Sequence, residues 1–133
     1  MAAVQLDPYR GDGAVRPRVL IVDDLEPFRA AARRVLTAAG FEVVPDAVDG
    51  AGALRSAGEL HPDVVLLDVQ LPDADGFDVA RQLSRARHPP AVVLVSGRPR
   101  SDYGRLVERS GALGFIDKAE LSGPRLRQEL GTA

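Results

Sequence analysis

Five side chains in this sequence have types and positions that suggest shared chemistry: Asp23, Asp24, Asp68, Ser96 and Lys118. Each stands at the end of a short apolar run. Val19-Leu20-Ile21-Val22 leads into Asp23-Asp24, Val64-Val65-Leu66-Leu67 into Asp68, Ala91-Val92-Val93-Leu94-Val95 into Ser96-Gly97, and Gly114-Phe115-Ile116-Asp117 into Lys118. Lys118 is the only lysine among 17 basic residues. A lysine that survives so strong an arginine bias invites a chemical reason, because a compact ammonium on a flexible stem suits a tight pocket better than a broad guanidinium fork. Carboxylates crowded together repel, and one takes up a proton unless a cation intervenes. A hard divalent ion resolves this, and Mg²⁺ binds one or two carboxylates while keeping waters and room for phosphate oxygens. Asp23, Asp24 and Asp68 therefore read as a phosphate-handling metal site. Singly, each residue has a plainer reading. Asp23 or Asp24 ahead of Leu25-Glu26-Pro27 suits a helix cap, Asp68 an Asx turn into Leu71-Pro72-Asp73, Ser96 an ordinary strand-end turn, and Lys118 a solvated strand end.

The elements that must position these groups are legible around them. The four runs are continuous and rich in Val, Leu and Ile, the pattern of strands buried on both faces of a parallel sheet. Helical patterns lie between them, so the chain alternates strand and helix. That order implies right-handed βαβ units, with helices on both faces of one parallel sheet. Ligands in such sheets bind at the carboxyl ends of the strands, where all five side chains fall.

With the four motifs in this order, including Asp63 to Gly76 around Asp68, the sequence resembles a response-regulator receiver domain, the phosphorylatable half of two-component signalling. The resemblance covers residues 16–131. It implies an α/β fold of the flavodoxin-like type, a five-stranded parallel sheet of order 2-1-3-4-5 with helices on both faces. It also implies that Asp68 accepts a phosphoryl group from a phosphohistidine on a sensor histidine kinase or a histidine phosphotransfer protein. Asp24 would ligate Mg²⁺ directly and Asp23 through water, with Asp68 and the Gln70 main-chain carbonyl completing the protein's share. Lys118 would pair with one phosphoryl oxygen and the Ser96 hydroxyl with another. Ser96 and Phe115 would form the switch, read out by a downstream protein through the surface of the fourth helix, fifth strand and fifth helix. That surface would include Tyr103, Arg105, Arg109 and Arg125, and a homodimer through it is a further expectation. Gln70 and Arg98 would flank the route of water to the aspartyl phosphate. Two departures stand out: Ala119 follows Lys118 where the family commonly has a cis proline, and Ser96 replaces the commoner Thr, losing a methyl that restricts rotation.

Periodicity fills in the rest. Phe28, Ala31, Ala32, Val35, Leu36 and Ala39 mark the strongest helix, stopped by Gly40. Phe41 to Val44 reads as the second strand, and Asp49 caps a Gly-rich helix to about Ala57. Asp75-Gly76 opens a third helix with Phe77, Ala80 and Leu83 inward. Ser101 is a cap for a marginal fourth helix weakened by Gly104, with Tyr103, Leu106 and Val107 as its apolar stripe. Pro124 begins a fifth that ends near Leu130. His61 and His88 precede prolines and read as turn residues.

The 133 residues suit one domain. A net charge of −2 exerts no general pull on nucleic acid or anionic membrane, and the absence of cysteine excludes disulfides and thiolate metal sites. No apolar stretch is long enough for a signal peptide or membrane span, so a cytoplasmic location without membrane insertion or direct nucleic-acid contact is expected. Residues 1–15 read as a flexible leader. No output domain is expected after the fifth helix, and the expected output is contact with another protein. Two other classes compete with the phosphoreceiver: a phosphorylation-independent receiver-like scaffold, and a phosphatase of the haloacid-dehalogenase kind. The intact five-residue set argues against the first. The second needs an Asp-x-Asp motif, and Asp23-Asp24-Leu25-Glu26 lacks it.

Overall fold

A computed structural model describes residues 16–131; the leader expected over 1–15 lies outside them. The chain order is β1 (Arg18–Val22), α1 (Glu26–Ala38), β2 (Glu42–Val43), α2 (Gly50–Leu60), β3 (Val64–Asp68), α3 (Gly76–Ser84), β4 (Ala91–Ser96), α4 (Leu106–Arg109), β5 (Gly114–Asp117) and α5 (Gly123–Leu130), with 3₁₀ turns at Arg100–Tyr103 and Lys118–Glu120. All five strands are parallel in the order β2-β1-β3-β4-β5, as expected.

The unbroken apolar runs follow from this architecture. Side chains alternate across a strand, and both sheet faces are covered, so every position of a central strand must be apolar. Val19, Ile21, Leu66, Val93 and Ile116 pack with Ala32 and Leu36 of α1 and Leu126 and Leu130 of α5. Leu20, Val22, Leu67, Leu94 and Phe115 pack with Ala53 of α2, Phe77, Val79 and Leu83 of α3, and Val107 of α4. Each Val, Leu, Ile or Phe side chain so buried contributes roughly 1.5–3 kcal/mol by leaving water.

Helix boundaries differ from the sequence reading in instructive ways. Neither Asp23 nor Asp24 caps α1; Leu25 occupies that position with no side-chain hydrogen bond, and Pro27 sits in the first turn. Val35, placed on the apolar stripe, is 40% exposed, because Ala32 and Leu36 alone reach the sheet fully. The second strand contracts to Glu42–Val43; its neighbours Phe41 and Val44 are buried, and the Val44 amide still donates to the Val19 carbonyl of β1 at 3.0 Å. Asp49 caps α2 as expected, but the helix runs past Ala57 to Leu60, ending on His61 in the left-handed conformation at φ 49°. A second acid, Asp73, holds the same end, accepting from the Gly50 and Ala51 amides at 2.7 and 3.0 Å. Asp75 caps α3, with Phe77, Ala80 and Leu83 buried. Gly76 is obligatory there, since a Cβ would lie 2.3 Å from the Asp68 carbonyl oxygen.

The largest departure is the fourth helix. Ser101 caps nothing: a 3₁₀ turn follows Pro99, Gly104 breaks the chain at φ 57° and ψ −126°, and α4 retains only four residues. Among the described residues no helix is long and apolar enough to cross a membrane.

Candidate functional site

Parallel strands deliver their ends to one edge. Asp23 directly follows β1, Asp68 ends β3, Ser96 ends β4 and Lys118 directly follows β5. Register ties them laterally, pairing Asp68 with Val95 and Ser96 with Asp117. Carboxylate oxygens of Asp23, Asp24 and Asp68 all lie within 4.8 Å of one another. Asp23 is fully buried and Asp68 nearly so, while Asp24 is exposed. Lys118 reaches into this group, its Nζ 2.6 Å from Asp23 Oδ2 and 3.3 Å from Asp68 Oδ2. The Phe28 ring lies under the same ammonium, 4.6 Å to the centroid, a cation–π contact that the sequence pattern showed only as an inward apolar residue.

The electrostatics is unbalanced. Burial, then the neighbouring Asp23 charge, pushes the Asp68 carboxyl up to about 6, against Lys118 and the Gln70 amide, which favour its ionised form. Burial alone would lower Lys118; hydrogen bonding to Asp23 and the charges of both carboxylates outweigh it and hold the ammonium above the usual lysine range. Asp23 Oδ1 accepts from the Leu25 amide at 2.8 Å. Its buried Oδ2 is met by the Lys118 ammonium. Three carboxylates with oxygens within 4.8 Å of one another, facing a single ammonium, are all hard oxygen donors and fit a hard divalent cation. Asp68 Oδ1 also accepts from the Gln70 amide at 3.2 Å, so the Asx-type turn exists alongside the acidic cluster.

Ser96 is buried. Its Oγ accepts from the Arg98 amide at 3.0 Å and pairs with the Tyr103 hydroxyl at 2.6 Å. Tyr103 belongs to the Arg100–Tyr103 turn, and its ring contacts Phe77 edge-on at 5.4 Å and Phe115 at 5.9 Å. The sequence reading gave Tyr103 to an apolar stripe and an exposed surface; its contact with Ser96 depends on a turn that periodicity did not reveal. Phe115 is 5% exposed. Its backbone is clasped by α5: its amide donates to Glu129 Oε1 at 2.9 Å, and its carbonyl accepts from Arg125, which also pairs with Glu129. Arg125 is thus committed inward, whereas Arg105 and Arg109 are exposed.

Among the described residues no peptide bond is cis. Lys118 is therefore delivered across a trans bond to Ala119, whose amide donates to Asp117 Oδ1 at 2.9 Å and fixes the turn that a proline would otherwise set. Asp24, Asp68, Gln70, Ser96, Arg98 and Lys118 line an open cleft of about 510 Å³, with Gln70 and Arg98 on its walls. A larger cleft of about 730 Å³ opens elsewhere, beside His61, Asp63, Arg87 and His88, and includes none of these groups.

Comparison with known proteins agrees with this arrangement. The family described as the response regulator receiver domain matches residues 19–130. The virulence-factor positive transcription regulator BvgA of Bordetella pertussis is 37% identical over 103 residues, 77% of this chain and 49% of BvgA. Protein-glutamate methylesterase/protein-glutamine glutaminase 6 of Anaeromyxobacter dehalogenans is 42% identical over 115 residues, 85% of this chain and 33% of that protein. The chain thus spans half or less of the curated relatives it matches. Among solved structures, the signal receiver domain of the response regulator NarL from Mycobacterium tuberculosis is 33% identical at a TM-score of 0.74, covering 86% of this chain and 90% of that one. Relatives named as transcription regulators lend no support to the expectation that this protein makes no direct nucleic-acid contact.

Proposed function

Because this chain belongs to the response-regulator receiver-domain family, the signalling module of two-component systems, we propose that it acts as a phosphoacceptor switch with Asp68 as the acceptor. An Asp68 carboxylate oxygen attacks the phosphorus of a phosphohistidine on a sensor histidine kinase or histidine phosphotransfer protein. The P–N bond breaks, and the departing imidazole takes a proton, leaving an aspartyl phosphate. Transfer through a loose transition state asks chiefly for positioning and charge stabilisation. The observation that carries this reading is the cluster of three carboxylates within 4.8 Å, penetrated by Lys118 and opening on a cleft that holds Ser96.

Asp23, Asp24 and Asp68, with the Gln70 main-chain carbonyl, are the residues that would hold Mg²⁺. When bound, the ion supplies neutralising charge for the carboxylates and for the phosphoryl oxygens. The chain's own residues do the rest. Lys118 turns its ammonium from carboxylate to phosphoryl oxygen, and the Ser96 hydroxyl donates to another. These contacts differ between the two states, so they can bias a conformational equilibrium. The signal passes through Phe115 to the α4-β5-α5 surface, where the exposed Arg105 and Arg109 meet a protein partner or a second copy of the chain. Output is a conformational signal, and no separate substrate is turned over.

Intact mass after incubation with Mg²⁺ and a small-molecule phosphodonor tests the proposal. One added phosphoryl group is expected, lost with chelator and in Asp68→Ala. An adduct that persists in Asp68→Ala, or none in the unaltered protein, would overturn it.

A further inference from the structure

Ser96 carries the single hydroxyl proton that the proposed switch needs, yet serine is poorly suited to aim it. Threonine's second Cβ substituent restricts χ1, whereas serine populates its rotamers more freely. In this chain the oxygen is held from outside instead. Its two nearest polar partners are the Arg98 amide, 3.0 Å away and able only to donate, and the Tyr103 hydroxyl at 2.6 Å. A phenol is the stronger acid of the two hydroxyls and the better donor, while an aliphatic hydroxyl oxygen accepts through two lone pairs. With Arg98 N–H and Tyr103 O–H both donating, both lone pairs of Ser96 Oγ are engaged. The Ser96 proton is then the one group left to point into the cleft that Asp68 and Lys118 share.

Tyr103 is built to hold that position. Its ring is gripped between Phe77 of α3 and Phe115 of β5, so the hydroxyl cannot swing with the short turn that carries it. The helical break at Gly104 separates this turn from α4, placing the tyrosine by its ring contacts rather than by helical register.

Resting on the phosphoacceptor reading, we propose that Tyr103 is the positioning residue of the switch: its hydroxyl donates to Ser96 Oγ and fixes the serine rotamer, so that the Ser96 proton is presented to a phosphoryl oxygen on Asp68. Tyr103 touches neither the phosphoryl group nor the acidic cluster. It supplies by a hydrogen bond the constraint that a threonine would supply by its methyl, and that equivalence makes the proposal separable from a general packing role.

Four proteins decide it: the unaltered chain, Tyr103→Phe, Ser96→Thr and the double variant. Tyr103→Phe keeps the ring between Phe77 and Phe115 and removes only the hydroxyl. Calorimetric titration with beryllofluoride at saturating Mg²⁺ reports capture of a phosphoryl-like group on Asp68. Loss of one neutral hydrogen bond predicts binding weaker by about five-fold in Tyr103→Phe. Ser96→Thr in the Tyr103→Phe background should recover most of that loss, because the methyl restores the rotamer, while Ser96→Thr alone changes little. Unchanged or tighter binding by Tyr103→Phe overturns the inference, the tighter result marking the tyrosine as a latch that restrains Ser96. A double variant as weak as Tyr103→Phe overturns it as well, since the hydroxyl would then act other than through the serine rotamer. Failure of the unaltered chain to bind beryllofluoride would instead sink the phosphoacceptor reading from which the inference starts.

Discussion

One ammonium answers to two buried carboxylates at the head of the sheet, and the imbalance sets how the protein responds to pH. Burial and the Asp23 charge push Asp68 from an ordinary 3.8 up to about 6, whereas an unfolded chain releases that proton near 4. Between about pH 4 and pH 6 the folded state holds a proton that the unfolded state has lost, so without divalent cation stability falls as the pH rises through that window. The effect is on the order of 3 kcal/mol at most. Asp68→Asn removes the titrating charge and nearly keeps the shape. It should flatten the decline in urea-unfolding curves recorded with chelator between pH 4 and pH 7, and leave the variant the more stable protein at neutral pH. A decline that survives in Asp68→Asn would move its origin elsewhere. Lys118 follows the same sign in a far higher window: against burial, hydrogen-bond contact with Asp23 and the charges of both carboxylates raise it above the ordinary lysine range. The stability it contributes is complete below that range and is lost as the pH rises through the raised value. Asp73, accepting two α2 amides, is held below the usual carboxylate range, and its capping contribution fades only as the pH falls through that depressed value.

Two glycines show how differently the same residue serves two helical segments. Gly104 sits at φ 57° and ψ −126°, a conformation that a Cβ disfavours, so Gly104→Ala should cost about 1–3 kcal/mol. Gly58 lies within α2, where an added Cβ would meet nothing within 4 Å, so Gly58→Ala should stabilise by roughly 0.4–1 kcal/mol. Chemical denaturation of the two variants side by side gives opposite signs if these backbone assignments are right. The same contrast explains what the sequence made legible. Continuous apolar runs announced β1, β3, β4 and β5 and their carboxyl ends, hence the fold and the five polar groups at one edge, because burial on both sheet faces leaves few alternatives at those positions. Periodicity failed where local backbone preference competes with it. Gly104 did not merely weaken the fourth helix but divided it, turning Tyr103 toward Ser96 and leaving Leu106 45% exposed. The Phe28 contact with Lys118 was equally hidden, since an inward face on α1 does not specify which strand end it meets. Phe41 to Val44 read as one strand, yet the registered pairs are Glu42 and Val43 alone, since the Phe41 amide turns back to the Leu36 carbonyl of α1.

Across the described residues, a sheet with an apolar centre is sandwiched by helices, and uncompensated charge gathers at the carboxyl ends of its strands. The net charge of −2 is spread over 19 acidic and 17 basic residues, yet three of those acids converge within 4.8 Å against one lysine. The apolar layers hold the strand ends rigidly in place, so the acids cannot relax apart, and a cation that binds only the folded chain must stabilise it by mass action. At a hundredfold excess over its dissociation constant Mg²⁺ should add about 2.7 kcal/mol to the unfolding free energy. Protons compete for the same oxygens on Asp68, whose carboxyl titrates at about 6. The Mg²⁺-induced rise in Tm at a fixed subsaturating concentration should therefore be larger at pH 7.5 than at pH 5. It should shrink sharply in Asp23→Asn, which keeps the volume and removes the fully buried charge. Scanning calorimetry across both pH values and both proteins separates this from general ionic screening, which would act equally on the two chains and would be reproduced by matching the ionic strength with a monovalent salt. A rise in Tm of the same size in Asp23→Asn, or in the monovalent salt, would assign the stabilisation to the surface and not to the acidic edge.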